Sequence, residues 1–314
     1  MWTAKMEVIH LSYPLEQQIS LPTTLAIGYF DGVHRGHQAV ITRANQLAEE
    51  LGVTPAVMTF FPHPREVLGL AQITRYLTPL PEKLALFQEL GVGCTYVMRF
   101  DHTFAKLTAK AFVQEILDPL QVKGVATGFN FTFGKNASGK AEDLIALGKG
   151  KFRAEIVEAI QSEGLTISSS RLRQALLEGD VHVAREILGR NYSIAGTVVH
   201  GDKRGRLLGF PTANIELENP FFIPKRGVYI VQAYFEQEVA MGIMNIGIRP
   251  TFNNPGGQDR LEVHLLDRTD DLYEKKMKIE FLHYLREEKK FESKEALIDQ
   301  IQKDKQSAYR WIAK

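Results

Sequence analysis

Near residue 190 the chain changes the period of its hydrophobic pattern, and this change limits the possible folds more than any other feature. From Thr24 to about Gly189, short apolar runs at 24–29, 54–60, 94–99, 123–128 and 153–160 alternate with segments of helical spacing. Val40, Ile41, Ala44, Leu47, Ala48 and Leu51 are one such segment, in a helix expected over His37 to Leu51. Helix starts are marked by Thr78 ahead of Pro79-Leu80-Pro81-Glu82 and by Thr108 ahead of AKAFVQEIL. Strands alternating with helices predict βαβ units and a mainly parallel, doubly wound α/β sheet. After Asn191 the runs at 192–199, 227–235, 238–246, 260–266 and 277–284 are rich in Val, Ile and Tyr and separated by Gly, Pro and Asn. They predict an antiparallel sheet or small closed barrel. One helix closes the chain, with Ser293 as its cap and Leu297, Ile301, Ala308 and Trp311 on one face. A length of 314 residues suits two domains, with the boundary at 186–191.

Composition excludes several classes of function. A formal net charge of +1 argues against nucleic acid or an anionic membrane as the main partner, while leaving room for a local basic pocket. Cys94 is the single cysteine, so no intrachain disulfide can form, which fits a reducing cytosol. The start, MWTAKMEVIHLSYP, has no signal-like apolar segment, and no run approaches the ~18 apolar residues of a membrane span. The expectation is a cytoplasmic protein, a monomer or weak homo-oligomer, acting on small molecules.

Residues 28–37 read GYFDGVHRGH, between an apolar run and a helix start. A turn of this kind suits phosphates, because unpaired backbone N–H groups and the positive end of the helix dipole meet the incoming anion. Glycines at 28, 32 and 36 are expected to allow positive φ and a close ligand approach. A His-x-x-His pair, here His34 and His37, also serves as a surface accident or as half of a metal site, and a metal would need further ligands. His63 stands between two prolines in FFPHPREV, a loop in which it could equally be structural. Asn130 and Phe131 sit among aromatics in GFNFTFG, suited to a flat heterocycle or simply to a core. ISSSRLR at 167–173 offers hydroxyls with Arg171 and Arg173 at a helix start, either as an ordinary cap or as a second phosphate clamp. GKNASGKA nearly matches a phosphate loop but ends in Ala141, where a hydroxyl should hold magnesium.

In the second half, Thr212 and Asn214 of GRLLGFPTAN present two oxygens at the spacing a strand needs to point them the same way. Hard oxygens suit Mg²⁺, although the segment taken alone reads more readily as a Pro-Thr turn into a strand. LEVHLLD alternates strictly, so Glu262, His264 and Leu266 share one face. A carboxylate in an apolar strand must be hydrogen-bonded, neutralised or functional, so Glu262 is a candidate general base. Asn245, Arg249 and Arg286 are further candidates.

GYFDGVHRGH, PHPREV, GFNFTFG and ISSSRLR resemble the N-terminal module of the bacterial bifunctional riboflavin kinase/FMN adenylyltransferase (FAD synthetase) family. GDKRGRLLGFPTAN, KRGVY, MNIGIRPTF, LEVHLLD and LREEKKF resemble its kinase module, in matching order. The resemblance implies a Rossmann-like nucleotidylyltransferase domain over 1–186 and a β-barrel riboflavin kinase domain with a terminal helix over 187–314. It implies two ATP-dependent steps, riboflavin to FMN and FMN to FAD, with Mg²⁺ held through Thr212 and Asn214. Glu262, His34, His37 and Arg173 become the catalytic candidates. Gly28, Phe30, Asp31, Gly36, Ser169, Ser170, Arg171, Gly205, Thr212 and Asn214 would contact ATP, and His63, Asn130, Phe131 and Arg286 the flavin. A kinase with a non-catalytic nucleotide-binding first half is the alternative, and a flavin carrier a more distant one.

Overall fold

All six strands of the first sheet run parallel, in the order β1-β4-β3-β2-β5-β6. They are β1 Glu7–Leu11, β2 Thr23–Ile27, β3 Thr54–Phe61, β4 Cys94–Arg99, β5 Val122–Gly128 and β6 Arg153–Val157. The structure is a computed structural model and describes residues 5–16, 19, 21–70, 75–200, 210–251, 254–268 and 272–313. It divides into two units, Met1–Ser169 and Ser170–Lys314.

Strand β2, TTLAI, is buried at every position because it lies inside a sheet covered on both faces. One face packs Leu25, Ile27, Met58, Tyr96 and Ile116, and the other packs Ala26, Val57, Ile41, Ala44 and Phe87. Helix α1, Arg35–Leu51, turns Val40, Ile41, Ala44, Leu47 and Ala48 inward and stops at Gly52 in the left-handed region (φ 65°). Successive crossovers carry the chain from β2 to β3 to β4 on one side, whereas β5 and β6 add on the other. The direction therefore reverses between β2 and β5, and beyond the C-terminal ends of those strands lies the crevice where such sheets bind ligands. Strand β1, at the sheet edge, was not among the expected runs; its burial is confined to one end, so its sequence lacks an apolar stretch. Helix α2, Leu80–Glu89, begins one residue later than the Thr78 signal implied. Pro79 is its N-cap, with no side-chain cap bond, and the Thr78 N–H donates to Asp31 Oδ1 at 3.1 Å.

Two helices, α3 (Ser169–Glu178) and α4 (Val181–Leu188), precede the barrel. The packing boundary after Ser169 lies ahead of the expected 186–191, because these helices pack with the second unit. The Lys225 N–H, for example, donates to the Leu176 carbonyl at 2.8 Å. The barrel closes in the order β7-β8-β11-β10-β9-β12, built from β7 Ser193–Val199, β8 Ala213–Leu217, β9 Gly227–Phe235, β10 Glu238–Thr251, β11 Asn254–Leu265 and β12 Lys276–Arg286. Every pairing is antiparallel. Tyr229, Val231, Met244, Ile246, Val263 and Phe281 are buried on one face of the alternation. On the opposite face Val228, Ile230, Ile243 and Leu266 pack against Ala308 of α5, Lys294–Ile312. Ser293 caps α5 as its sequence suggested, accepting the Ala296 N–H at 3.1 Å.

Candidate functional site

Residues 28–34 turn the chain from β2 into α1, and their geometry is tighter than the glycine spacing suggested. Of the three glycines only Gly32 takes positive φ (91°), while Phe30 and Val33, which are not glycine, take 57° and 42°. Gly28 and Gly36 serve close approach instead. A Cβ at 28 would stand 2.9 Å from the Phe30 ring, and one at 36 would stand 3.2 Å from the His34 ring. The x-Gly between the two histidines is thus set by the ring it lies under. His34 is buried and is the N-cap of α1, its Nδ1 accepting the His37 N–H at 3.2 Å. In a neutral ring the proton must then sit on Nε2, leaving that atom as a donor. The imidazoles of His34 and His37 stack at 3.5 Å between centroids, and Phe30 meets His37 edge-on at 5.2 Å. Two nitrogen heterocycles and a helix N-terminus therefore stand together at the switch point of the sheet.

Phe30 and Asp31 are both buried and shape the turn from within. The carboxylate of Asp31 accepts from Thr78, and its backbone carbonyl accepts the Ser169 hydroxyl at 2.8 Å. Ser169 of the 167–173 segment is thereby fastened to the histidine turn. Ser170, Arg171 and Arg173 follow on α3, with Ser170 exposed and the Arg173 guanidinium 4.9 Å over the Phe222 ring. His63 caps the short helix Pro64–Val67, its Nδ1 accepting the Arg65 N–H at 3.0 Å, and its ring lies 3.9 Å from that of Tyr29. Asn130 is exposed just past the end of β5, with its Oδ1 near Gly128, while Phe131 stacks on Phe133. GKNASGKA forms part of a small hairpin, Thr132–Phe133 with Gly139–Lys140, rather than one loop from strand to helix.

Lys83 on α2 carries no signal in the sequence. It is buried, its Nζ donates to the Tyr29 carbonyl at 2.8 Å, and it lies 4.0 Å over the Tyr29 ring. Burial lowers the ammonium to about 8, against an opposing pull from Asp31. A lysine within LPEKLALFQE reads as a solvated helix residue, so only tertiary placement exposes its role.

In the barrel, register assembles a polar row that no single segment of sequence reveals. Asn214 of β8 pairs with Glu262 of β11, and Glu262 pairs with Asn245 of β10. Residues directly opposite across antiparallel strands point to the same face, so two amides flank one carboxylate. The row continues through Val228 to Arg286 on the face that α5 partly covers. Glu262 is one-fifth exposed and pairs with Arg260 at 2.8 Å, so its charge is compensated while it stays within reach of solvent. His264, two residues on along β11, is buried and donates Nδ1–H to the Pro211 carbonyl at 2.8 Å. Burial pushes its imidazole below the ordinary range, which keeps the ring neutral at pH 7. Pro211 is thereby fixed directly before Thr212. Arg286, at the end of the row, is bound by two partners. Its Nε and Nη2 grip Asp304 of α5 at 2.7–3.1 Å, and its Nη1 donates to the Glu287 carbonyl. It fastens α5 at the end of the polar row. Gly205 lies outside the described residues, and Arg249 has only its backbone described.

Among the described residues no three His, Cys, Asp or Glu side chains gather as a metal site. The Thr212 hydroxyl and the Asn214 amide beside Glu262 are hard oxygen donors, few in number. They fit Mg²⁺, which keeps waters and takes substrate phosphates as ligands.

The sequence profile of the FAD synthetase family matches residues 16–171, and that of riboflavin kinase matches residues 188–312. A bifunctional riboflavin kinase/FMN adenylyltransferase from Bacillus subtilis (strain 168) is 43% identical over 312 residues, covering 98% of this chain and 99% of that protein. A protein of the same description from Escherichia coli (strain K12) is 37% identical over 309 residues, covering 96% and 97%. A solved structure described as a macrolide-efflux protein from Streptococcus pneumoniae superimposes with a TM-score of 0.88 at 32% identity, covering 96% of this chain and 99% of that one. That description names a transport process. No described helix of the present chain is long and apolar enough to cross a membrane.

Proposed function

The chain belongs to the bifunctional riboflavin kinase/FMN adenylyltransferase family, and on that premise we propose which residues perform each of its two reactions. The enzyme phosphorylates riboflavin with ATP to give FMN, then adenylylates FMN with a second ATP to give FAD and pyrophosphate. The kinase-only alternative gives way, since both family profiles match.

The barrel is assigned phosphorylation. The riboflavin 5′-oxygen bonds to the γ-phosphorus of ATP, the bond from that phosphorus to the bridging oxygen breaks, and ADP leaves. Glu262 accepts the hydroxyl proton, and Asn214 and Asn245 orient its carboxylate from either side. Thr212, fixed through Pro211 and His264, and Asn214 would hold magnesium. The metal, when bound, supplies charge neutralisation on the phosphate oxygens. Arg286 contributes to flavin binding by fastening α5 beside the row. The observation that carries this assignment is the Asn214–Glu262–Asn245 register.

The parallel-sheet unit is assigned adenylyl transfer. An FMN phosphate oxygen bonds to the α-phosphorus, and the bond from that phosphorus to the bridging oxygen of pyrophosphate breaks. The nucleophile is already an anion, so no base is required and the barrier is accumulated charge. His34 through Nε2–H, His37 and the N–H groups at the start of α1 meet that charge, with Gly28 and Gly36 leaving room for the phosphates. Ser169, bonded to the turn, Ser170, Arg171 and Arg173 are assigned to the leaving pyrophosphate. His63, Asn130 and Phe131, at the ends of β3 and β5, are assigned to FMN. A cytoplasmic setting and a monomer or weak homo-oligomer complete the reading.

The deciding experiment is chromatography of riboflavin incubated with protein and Mg-ATP. FMN should appear first and FAD afterwards. Accumulation of FMN with no FAD would overturn the adenylyl-transfer assignment.

A further inference from the structure

We propose that Lys83 is a positioning residue for adenylyl transfer, acting through Tyr29 to fix the histidine turn and His63, with a charge that nucleotide binding controls. The proposal rests on assigning adenylyl transfer to the parallel-sheet unit.

The geometry is a short relay. Lys83 Nζ donates to the Tyr29 carbonyl at 2.8 Å, and the Thr59 hydroxyl donates to the same oxygen at 3.0 Å. One carbonyl thus receives two buried donors, which holds the first peptide of the turn against β3. The same ammonium sits 4.0 Å from the centroid of the Tyr29 ring, and that ring lies 3.9 Å from His63. Backbone and side chain of Tyr29 are therefore fixed by a single cation. The next peptides carry Phe30 and Val33 at positive φ, a conformation that persists only when its surroundings impose it.

Stability alone does not call for an ammonium at this place. Lys83 is the one buried lysine among the described residues, and methionine would fill the same space with no charge to desolvate. The groups facing Lys83 are few. Asp31, from the turn, is the carboxylate that attracts it, and the Tyr29 ring covers it. Beyond these, the Tyr76 phenol faces Asp31 and Glu66, and burial together with those carboxylates raises it to about 12. His63 lies past the Tyr29 ring. Desolvation brings Lys83 down to about 8, so the unliganded enzyme loses this charge just above neutral pH. Phosphates arriving at the turn favour the protonated amine, so nucleotide binding draws in a proton. Above about pH 8 the apparent affinity for ATP should fall by up to about tenfold per pH unit.

The test uses the full chain and both reactions. FAD formation from FMN and FMN formation from riboflavin are measured across about pH 6.5 to 9.5 for the wild type, Lys83→Gln and Lys83→Met. In the wild type, kcat/KM for ATP in FAD formation should fall along a limb centred near 8, carried by KM rather than kcat. Both variants should lose about tenfold or more at neutral pH and show no such limb, with FMN formation unchanged. A Lys83→Gln enzyme with wild-type kcat/KM and a wild-type limb would overturn the proposal. Calorimetry of ATP binding to the wild type at pH 8, in two buffers of different ionisation enthalpy, does not depend on the variants folding. With excess ADP at the kinase half and no riboflavin or FMN present, neither reaction turns over, and proton uptake is expected. Its absence together with a flat profile would sink the idea. Failure of the wild type to make FAD at all would instead remove the underlying assignment.

Discussion

The two halves meet ATP with opposite inventories, and the nucleophile explains why. In the proposed adenylyl-transfer site the attacking FMN phosphate is already charged, so imidazoles and backbone N–H groups serve and no base is needed. In the proposed kinase site the attacking group is a neutral hydroxyl, and the assignment centres on a carboxylate paired across the sheet with two amides. They also differ in construction. The histidine turn keeps its cap, its two close-packed glycines and its strained backbone within about ten residues, and bonds from Thr78, Lys83 and Ser169 hold it from outside. The carboxylate row exists only through pairing among three strands, from Asn214 to Glu262.

The sharpest way to break this contrast is to remove the base. Glu262→Ala should lower kcat for FMN formation by about 10²–10⁴-fold, while FAD formation from supplied FMN persists. Equal loss of both in a folded protein would end the two-site division. His37→Ala should give the mirror result, with FAD formation down about 10²–10³-fold and FMN formation intact; an unchanged FAD rate would remove His37 from the chemistry. Asp304→Ala leaves Arg286 without its main partner and should destabilise the barrel by about 3 kcal/mol. Thermal unfolding followed alongside both activities would show FMN formation lost at a lower temperature than FAD formation. Simultaneous loss at the wild-type temperature would deny Arg286 its fastening role. The smallest effect is expected from His264→Leu, about five- to tenfold on FMN formation from one lost hydrogen bond of about 1 kcal/mol. His264→Asn, which keeps a donor near Nδ1, should recover most of it, and equal loss in both variants would disconnect His264 from Pro211.

What could be read from the sequence followed the same division. The turn, its histidines, the cap at Ser293 and most strands were visible because each depends on neighbours in sequence. The partners of Glu262 were not, since alternation assigns a face but not the residue opposite. Asn245 reads only as a candidate, and nothing local to Arg286 announces Asp304 as its partner. Lys83 is silent in the sequence for a related reason: on a helix with charged neighbours, burial follows from the sheet beneath it. Strand β1 escaped because an edge strand with little burial has no apolar run to declare it.

Phe30 and Val33 hold left-handed backbone without being glycine, at about 1–3 kcal/mol each. The bonds of Asp31, Thr78, Ser169 and Lys83 around them mean that this conformation is imposed when the chain folds. Under the proposed assignment a nucleotide meets a cradle already in shape, and the entropy of ordering those peptides falls on folding rather than on association. Looser packing beneath the turn would therefore surface as weaker nucleotide capture well before it surfaced as a lower melting temperature.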